Sequence, residues 1–288
     1  VAQITFMYFL GYIIFHLLSS GDIDKIDLLQ FGFFLANGML TLFVLPLIYL
    51  YEKIFFLVSD VSLLELSDTN SPLLKELSDK APGTFHHSLQ VANLSEACAN
   101  EINANSLLTR VGALYHDVGK IKKPNFFSEN QKGSISPHDE LSPSESAKII
   151  IDHVIDGIAL GKKNKLPDRV VDFIRTHHGT SKVYFFYKKQ IELDPTADIK
   201  NFIYPGPKPF SKETSIVMMA DSIEAASKSL KEPSFEILEK FVHKIINQQM
   251  DEGQFINSNI TFSEIEAVKK VLIKKLVNIY QLRIEYPS

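Results

Sequence analysis

The first 51 residues carry only four charged side chains, and all four sit in one short loop. Residues 1–18, VAQITFMYFLGYIIFHLL, hold one amide, His16 and no charge; residues 28–51, LLQFGFFLANGMLTLFVLPLIYLY, hold no charge either. About 20 apolar residues in a helix cross a bilayer core. The second run is long enough. The first is slightly short, and a start at Val1 rather than Met reads as a fragment. Neither run has the basic segment or small-residue cleavage site of a signal peptide. A buried helical hairpin is the other fold open to such runs, but two uncharged runs in tandem favour membrane helices. His16, inside an apolar run, reads as packed or interfacial, with a polar transmembrane role as the alternative.

The loop between the runs, SSGDIDKID, carries Asp22, Asp24, Asp27 and Lys25. Under the positive-inside bias a short acidic loop is non-cytoplasmic, which places the long C-terminal part in the cytoplasm. A single cysteine, Cys98, agrees, since it excludes an internal disulfide framework. Residues 52–288 keep 29 basic and 31 acidic groups, a net charge of −2. That is no generic nucleic-acid surface, so neither DNA nor RNA is expected as a partner. An anionic substrate would have to be held by local cations, metal ions first among them.

After Tyr51 the chain turns amphipathic. Leu63, Leu64, Leu66, Leu73, Leu74 and Leu77 fit helix with a break near Ser71-Pro72, and residues 52–83 read as a connector. From Thr84 onward the period is helical and no strand alternation appears. The pattern predicts helices at about 85–103, 106–120, 143–161, 167–178, 212–230, 234–250 and 262–283. Ser142-Pro143-Ser144-Glu145 is a capping box with proline at its favoured place, and Ser263 with Glu266 repeats the pattern. Gly179 is a helix stop after His177 and His178. Residues 187–211, with Pro195, Pro205, Pro207 and Pro209, read as a loop. The expected fold is all-α: a helical bundle over 84–288 preceded by two transmembrane helices in 1–51.

Five of nine histidines fall in predicted helices beside acids or one another: His87, His116, His153, His177 and His178. His87 shares a face with Val91, Leu94 and Cys98, where an unpaired imidazole is costly; a bond to a backbone carbonyl would satisfy it as well as a metal would. His116 and Asp117 lie in an apolar helix, ALYHDVGK, where a carboxylate needs a counter-charge. Lys120 follows Asp117 by three residues, roughly on its face, as a candidate phosphate contact. His177 and His178 end a helix, as a solvated pair favoured by the helix dipole or as two ligands. His153 sits in IIIDHVIDGI, and Asp221 in IVMMADSIEAA, a carboxylate with no base nearby in sequence. Seven such groups on five helices, each near an apolar face, point to one metal site.

These segments carry a resemblance. HHSLQVANL, YHDVGK, HHG and MADSIEAA resemble the HD-domain metal-dependent phosphohydrolases. Over about residues 60–285 the chain is similar to PgpH-type seven-transmembrane HD proteins, bacterial membrane phosphodiesterases for cyclic di-AMP; APGTFHH, SPHDELSP and YPGPKPFSKE extend the match. The two apolar runs would be the last two of that family's spans. The resemblance implies two divalent ions. His87, His116, Asp117 and Asp221 would bind one; His153, His177 and His178 would bind the other, with Asp117 bridging.

Such a nitrogen-rich set suits iron or manganese better than magnesium or calcium. The implied reaction is attack on phosphorus by a dimetal-activated hydroxide, opening cyclic di-AMP to linear 5′-pApA. Lys120 would stabilise charge on the phosphate oxygens. His138 and Asp139 in SPHDEL are candidates for the leaving-group acid and for substrate contact, with loop capping as the other reading. Lys208 in GPKP is a candidate contact or a solvated base, and Glu224 a partner behind the ligands. The lipid bilayer is the expected second partner, and self-association stays open. Three other readings remain. Cyclic di-GMP enzymes of the fold carry a GYP motif after the histidine pair, where this chain reads HHGTSKVYFFY. Guanosine polyphosphate hydrolases of the fold use one metal and would not need His153, His177 and His178. A receptor would bind nucleotide without cleaving it.

Overall fold

The computed structural model describes residues 1–21, 27–55, 57–131, 136–231 and 233–280. They form two compact units, Val1–Ser59 and Asp60–Ser288. Asp22, Asp24 and Lys25 of the acidic loop, and the expected end of the last helix at 281–283, lie outside the described residues.

In the first unit, α1 (Ala2–Ser20) pairs with α2 (Leu28–Leu40), and α3 (Val44–Phe55) follows a 3-10 turn at Thr41–Phe43. The second apolar run is therefore interrupted. Pro46 has no N–H to return to the carbonyl four residues back, which accounts for the irregular turn there. The helices meet through rings: Phe9 against Phe31 at 4.8 Å, and Tyr12 against Phe34 at 5.5 Å. The outer apolar side chains are bare, with Leu18 84% and Leu28 80% exposed. Both helical stretches are long and apolar enough to cross a membrane. Bilayer hydrocarbon is the solvent such surfaces fit.

The second unit is helical throughout; among its described residues the only strand-like pairing is the isolated bridge Lys182–Ile203. Its helices are α4 (Asp60–Ser67), α5 (Pro72–Lys80), α6 (Pro82–Glu101), α7 (Ser106–Tyr115), α8 (Pro143–Lys163), α9 (Asp168–Thr176), α10 (Tyr184–Leu193), α11 (Lys212–Ser227), α12 (Phe235–Asp251) and α13 (Phe262–Ile279). Helices α6 and α7 form the central pair. On them pack α11, α9, α5 and α13, while α8 lies against α9 and the turn after α7. Leu74, Leu77, Val91, Val111, Ile174, Ile216 and Leu272 are fully buried between them.

Three expectations are corrected. The helix expected over 106–120 leaves α geometry after Tyr115 and continues as a 3-10 turn, Val118–Lys122. Gly119 accounts for the change: a Cβ there would lie 1.8 Å from the carbonyl oxygen of His153. Only glycine lets this turn touch the α8 backbone. The loop expected over 187–211 begins inside α10, whose Tyr187 packs on Phe202 at 5.4 Å. The later prolines do lie outside that helix, around a short turn at Ile199–Phe202. Finally, α13 is capped by Thr261 and Glu264, while Glu266 pairs with Lys269. The Ser142 and Glu145 box holds as read.

Candidate metal centre

The turn after α7 gives the site its hinge. His116 caps α7 and Asp117 opens the 3-10 turn, so their side chains, adjacent in sequence, reach different neighbours. Helix α6 supplies His87, α8 supplies His153, the end of α9 supplies His177 and His178, and α11 supplies Asp221. Gly179, with φ of 50°, turns the chain away just after the pair. His116 and Asp117 are essentially inaccessible to solvent, and His87, His153, His177 and Asp221 are buried; the His178 side chain is a quarter exposed.

Asp117 divides its oxygens between two groups of rings. Oδ2 lies 3.6 Å from His87 Nε2 and 3.3 Å from His116 Nε2. Oδ1 lies 3.3 Å from His153 Nε2 and 3.5 Å from His177 Nε2. Asp221 closes the first group, with Oδ1 2.9 Å from His87 Nε2 and 3.6 Å from His116 Nε2. His153, His177 and His178 form the second, each with a ligand atom within 4.8 Å of the others. The groups touch where the His116 and His177 rings stand 4.9 Å apart.

The rings are held from behind. His116 Nδ1 donates to the Ala113 carbonyl at 2.6 Å, His153 Nδ1 to Ile150 at 2.5 Å and His177 Nδ1 to Ile174 at 2.8 Å. A carbonyl can only accept, so each Nδ1 keeps its proton and Nε2 is the ring nitrogen turned inward to serve as a ligand. His87 differs, because its Nδ1 meets the carboxylate of Glu224. Two inward atoms, His116 Nε2 and Asp117 Oδ1, are buried with no hydrogen-bond partner. A buried carboxylate oxygen and a buried ring nitrogen left without partners are costly unless a cation engages them. The donor set therefore fits divalent metal ions.

Residues 84–226 match the HD domain family. The chain is 45% identical over 253 residues to the cyclic-di-AMP phosphodiesterase PgpH of Bacillus subtilis, across 88% of this chain and 35% of that protein. With PgpH of Listeria monocytogenes it shares 43% identity over 273 residues, across 92% of this chain and 38% of that one. It thus spans little more than a third of the curated relatives it matches. The solved HD domain of the Listeria phosphodiesterase PgpH, in complex with cyclic-di-AMP, superposes with a TM-score of 0.71 at 45% identity, covering 75% of this chain and 100% of that one. The chain belongs to the PgpH-type HD-domain family.

The charges of this HD site follow from its packing. In the metal-free protein, burial would lower the His116 pKa, but the adjoining Asp117 charge overrides it and raises it from 6.5 to about 10. His87 is likewise raised, its burial outweighed by Asp221 and Glu224. Burial would lift both carboxyls, yet Lys120 and the His116 and His153 rings hold Asp117, and the His116 and His87 rings hold Asp221, well below the usual carboxylate range. His177 and His178 go the other way, lowered by burial and by neighbouring rings. Tyr204 lies over the His178 ring, 4.2 Å between centroids.

Lys120 enters the HD site as expected from its spacing. Its Nζ is 2.7 Å from Asp117 Oδ2 and 2.8 Å from Glu129 Oε1. Three other sequence candidates lie outside the cluster. His138 donates through Nε2 to the Phe126 carbonyl at 2.9 Å and, with Asp139, lines a cavity of about 380 Å³ among Phe126, Phe185 and Phe186. Lys208 donates to the Gly253 carbonyl at 2.9 Å. Glu129, Phe127 and Tyr204 were given no role from the sequence; they sit outside the ligand helices and reach the site only through the fold.

Proposed function

We propose that this chain is the catalytic portion of a bacterial membrane phosphodiesterase that opens cyclic di-AMP to linear 5′-pApA. The observation that carries the reading is the divided carboxylate of Asp117, with one oxygen toward each group of rings. Likeness to the Listeria HD domain solved with cyclic-di-AMP supports the substrate class and the base.

The reading assigns two divalent ions. His87, His116, Asp117 and Asp221 hold one; His153, His177 and His178 hold the other, with Asp117 shared. Seven protein ligands are more than one octahedral ion can take, and the nitrogen-rich set suits iron or manganese. Bound, such a pair supplies Lewis-acid charge for the phosphate oxygens and acidifies water. The protein's own part is orientation. Carbonyl-tethered rings present Nε2 without searching tautomers. The buried floor keeps bulk water away and strengthens every charge in it. The Lys120 ammonium, raised far above its ordinary pKa by Asp117 and Glu129 against the effect of burial, stays charged beside the non-bridging oxygens. His138, Asp139 and Lys208 are left for distal parts of the substrate.

Residues 1–51 would lie in the cytoplasmic membrane, 52–83 would connect, and 84–288 would face the cytoplasm. The bare apolar helices and the acidic loop support this.

The test is chromatography of products after incubating the metal-loaded chain with cyclic di-AMP and, separately, cyclic di-GMP. Water attacking phosphorus expels the 3′ oxygen and leaves phosphate on the 5′ side, so oxygen-18 water should put one heavy oxygen on the terminal phosphate of 5′-pApA. A 2′,3′-cyclic end overturns the nucleophile. Faster turnover of cyclic di-GMP overturns the base. A chain that binds the dinucleotide and returns it intact is a receptor.

A further inference from the structure

Lys120 is held by more than its neighbour in the motif. Its ammonium lies between two carboxylates, Asp117 Oδ2 at 2.7 Å and Glu129 Oε1 at 2.8 Å, and 4.9 Å from the centre of the Phe127 ring. The two carboxylates are not equivalent. Asp117 also faces the rings on either side, so any cation in the site competes with Lys120 for it. Glu129 faces no ring of the site. It accepts from the Thr84 hydroxyl at 3.0 Å and from Lys120, and its pKa is held below the ordinary value because the Lys120 charge outweighs burial.

The turn that carries Glu129 is fixed to the start of α6. Asn130 accepts from the Thr84 backbone N–H at 3.1 Å and donates to the Thr84 hydroxyl at 2.8 Å. A Cβ on Gly83 would lie 1.9 Å from the Glu129 carbonyl oxygen, so the turn and the helix touch backbone to backbone. The same helix carries His87 one turn further on. Ligand and carboxylate thus share one rigid support.

We propose that Glu129 is the positioning residue for Lys120, keeping its ammonium at the edge of the metal centre once the metals engage Asp117. The inference rests on the reading of Lys120 as a phosphate contact. Without the Glu129 charge the ammonium has one carboxylate left, Asp117, and turns onto it. There it opposes a metal ion and no longer meets the substrate. A cation displaced by about 1 Å can lose on the order of a hundredfold in rate, so a partner that fixes it is felt in turnover.

The experiment is a double-mutant cycle on the full 288-residue chain in detergent: wild type, Glu129→Gln, Lys120→Ala and the double variant. Glutamine keeps the shape and the Thr84 bond while removing the charge. Two quantities are read: kcat/KM for cyclic di-AMP, and the affinity for manganese alone. Glu129→Gln should lower kcat/KM about tenfold and Lys120→Ala about a hundredfold, with the double variant within twofold of Lys120→Ala. Manganese affinity should fall severalfold in Glu129→Gln and recover in the double variant, because the competing ammonium is gone. A loss that persists in the Lys120→Ala background shows that Glu129 acts on the fold or the ligands directly and overturns the proposal. So does a Glu129→Gln chain matching wild type in both quantities. The two readings separate cleanly: a wild type that leaves cyclic di-AMP intact refutes the proposed function, while the manganese cycle still decides the Glu129 pairing.

Discussion

On one side of Asp117 stand His87, His116 and Asp221; on the other stand His153, His177 and His178. The first side is acidic. Its two carboxylates are joined by a third, Glu224, behind His87, and in the metal-free protein both of its rings are pushed toward the protonated form. The second side has only its share of Asp117 and, at its edge, the Asp221 Oδ2 atom 3.8 Å from His178 Nδ1. Its His153 and His177 rings are tied to main-chain carbonyls, and burial keeps His177 and His178 from taking a proton. One half is thus a set of imidazole donors, two of them fixed by helix backbone. The other is a charge cluster whose protonation answers to whatever occupies it. A shared carboxylate between unlike halves lets two ions sit close together while each keeps its own environment.

The harshest way to break this comparison is Asp117→Ala. It takes an oxygen from each half at once, so metal content should fall from two ions to one or none, and kcat/KM by on the order of 10³-fold or more. Elemental analysis of anaerobically purified protein, read with turnover, decides it. Two retained ions with a near-normal rate would mean that the halves do not share Asp117.

Next in size are single-ring removals. His153→Ala should empty the histidine half and leave the acidic half loaded; His87→Ala should do the reverse. Each should cost roughly 10²-fold or more in turnover, since one ion cannot clamp both sides of a phosphate. The discriminating result is stoichiometry. One ion per chain in each variant supports two separate sites, whereas loss of both ions in either would show a single cooperative site.

The candidate ligands were legible in the residue order, while their division into two halves was implied only by the family resemblance. Each ligand stood in a helical segment beside apolar neighbours, and a buried acid or imidazole there calls for a partner. The residues missed are those whose role depends on long-range packing. Glu129 looks like one more loop acid until the backbone at Gly83 meets it. Tyr204 looks like a turn residue among prolines until it covers His178. The turn at 118–122 was hidden for the same reason: the local pattern continues a helix, and only contact between Gly119 and α8 breaks it. Helix α10 went unread because its anchors, Phe202 for Tyr187 and His138 for Phe186, come from other segments.

A milder test asks whether the outer carboxylate matters to the acidic half alone. Glu224→Gln keeps a hydrogen-bond acceptor behind His87 Nδ1 but removes the charge. Affinity for the first-half ion should fall by about 10- to 100-fold, as is usual for partners behind a ligand, and the histidine-half ion should be unaffected. Stepwise metal titration resolves the two. Equal weakening of both would show that Glu224 supports the fold rather than one half.

The finest test is of protons. In the metal-free chain His116 has a pKa of about 10, so near pH 7.5 it carries a proton that must leave before Nε2 can serve a metal. His177 and His178, lowered from 6.5, carry none at that pH. Loading the acidic half should therefore release about one proton or more, and loading the histidine half close to none. Calorimetry in two buffers of different ionisation heat counts them, with His153→Ala isolating the first event and His87→Ala the second. The same values give stability a sign. A ring whose folded pKa lies above its unfolded 6.5 contributes stability that is fully present below 6.5 and lost as pH rises through about 10. The metal-free chain should thus lose thermal stability between pH 7 and pH 10. The loaded chain, whose His116 has already given up its proton, should show little of that loss. Equal slopes in the two forms, or equal proton counts for the two halves, would show that the acidic half is not the protonated cluster its geometry describes.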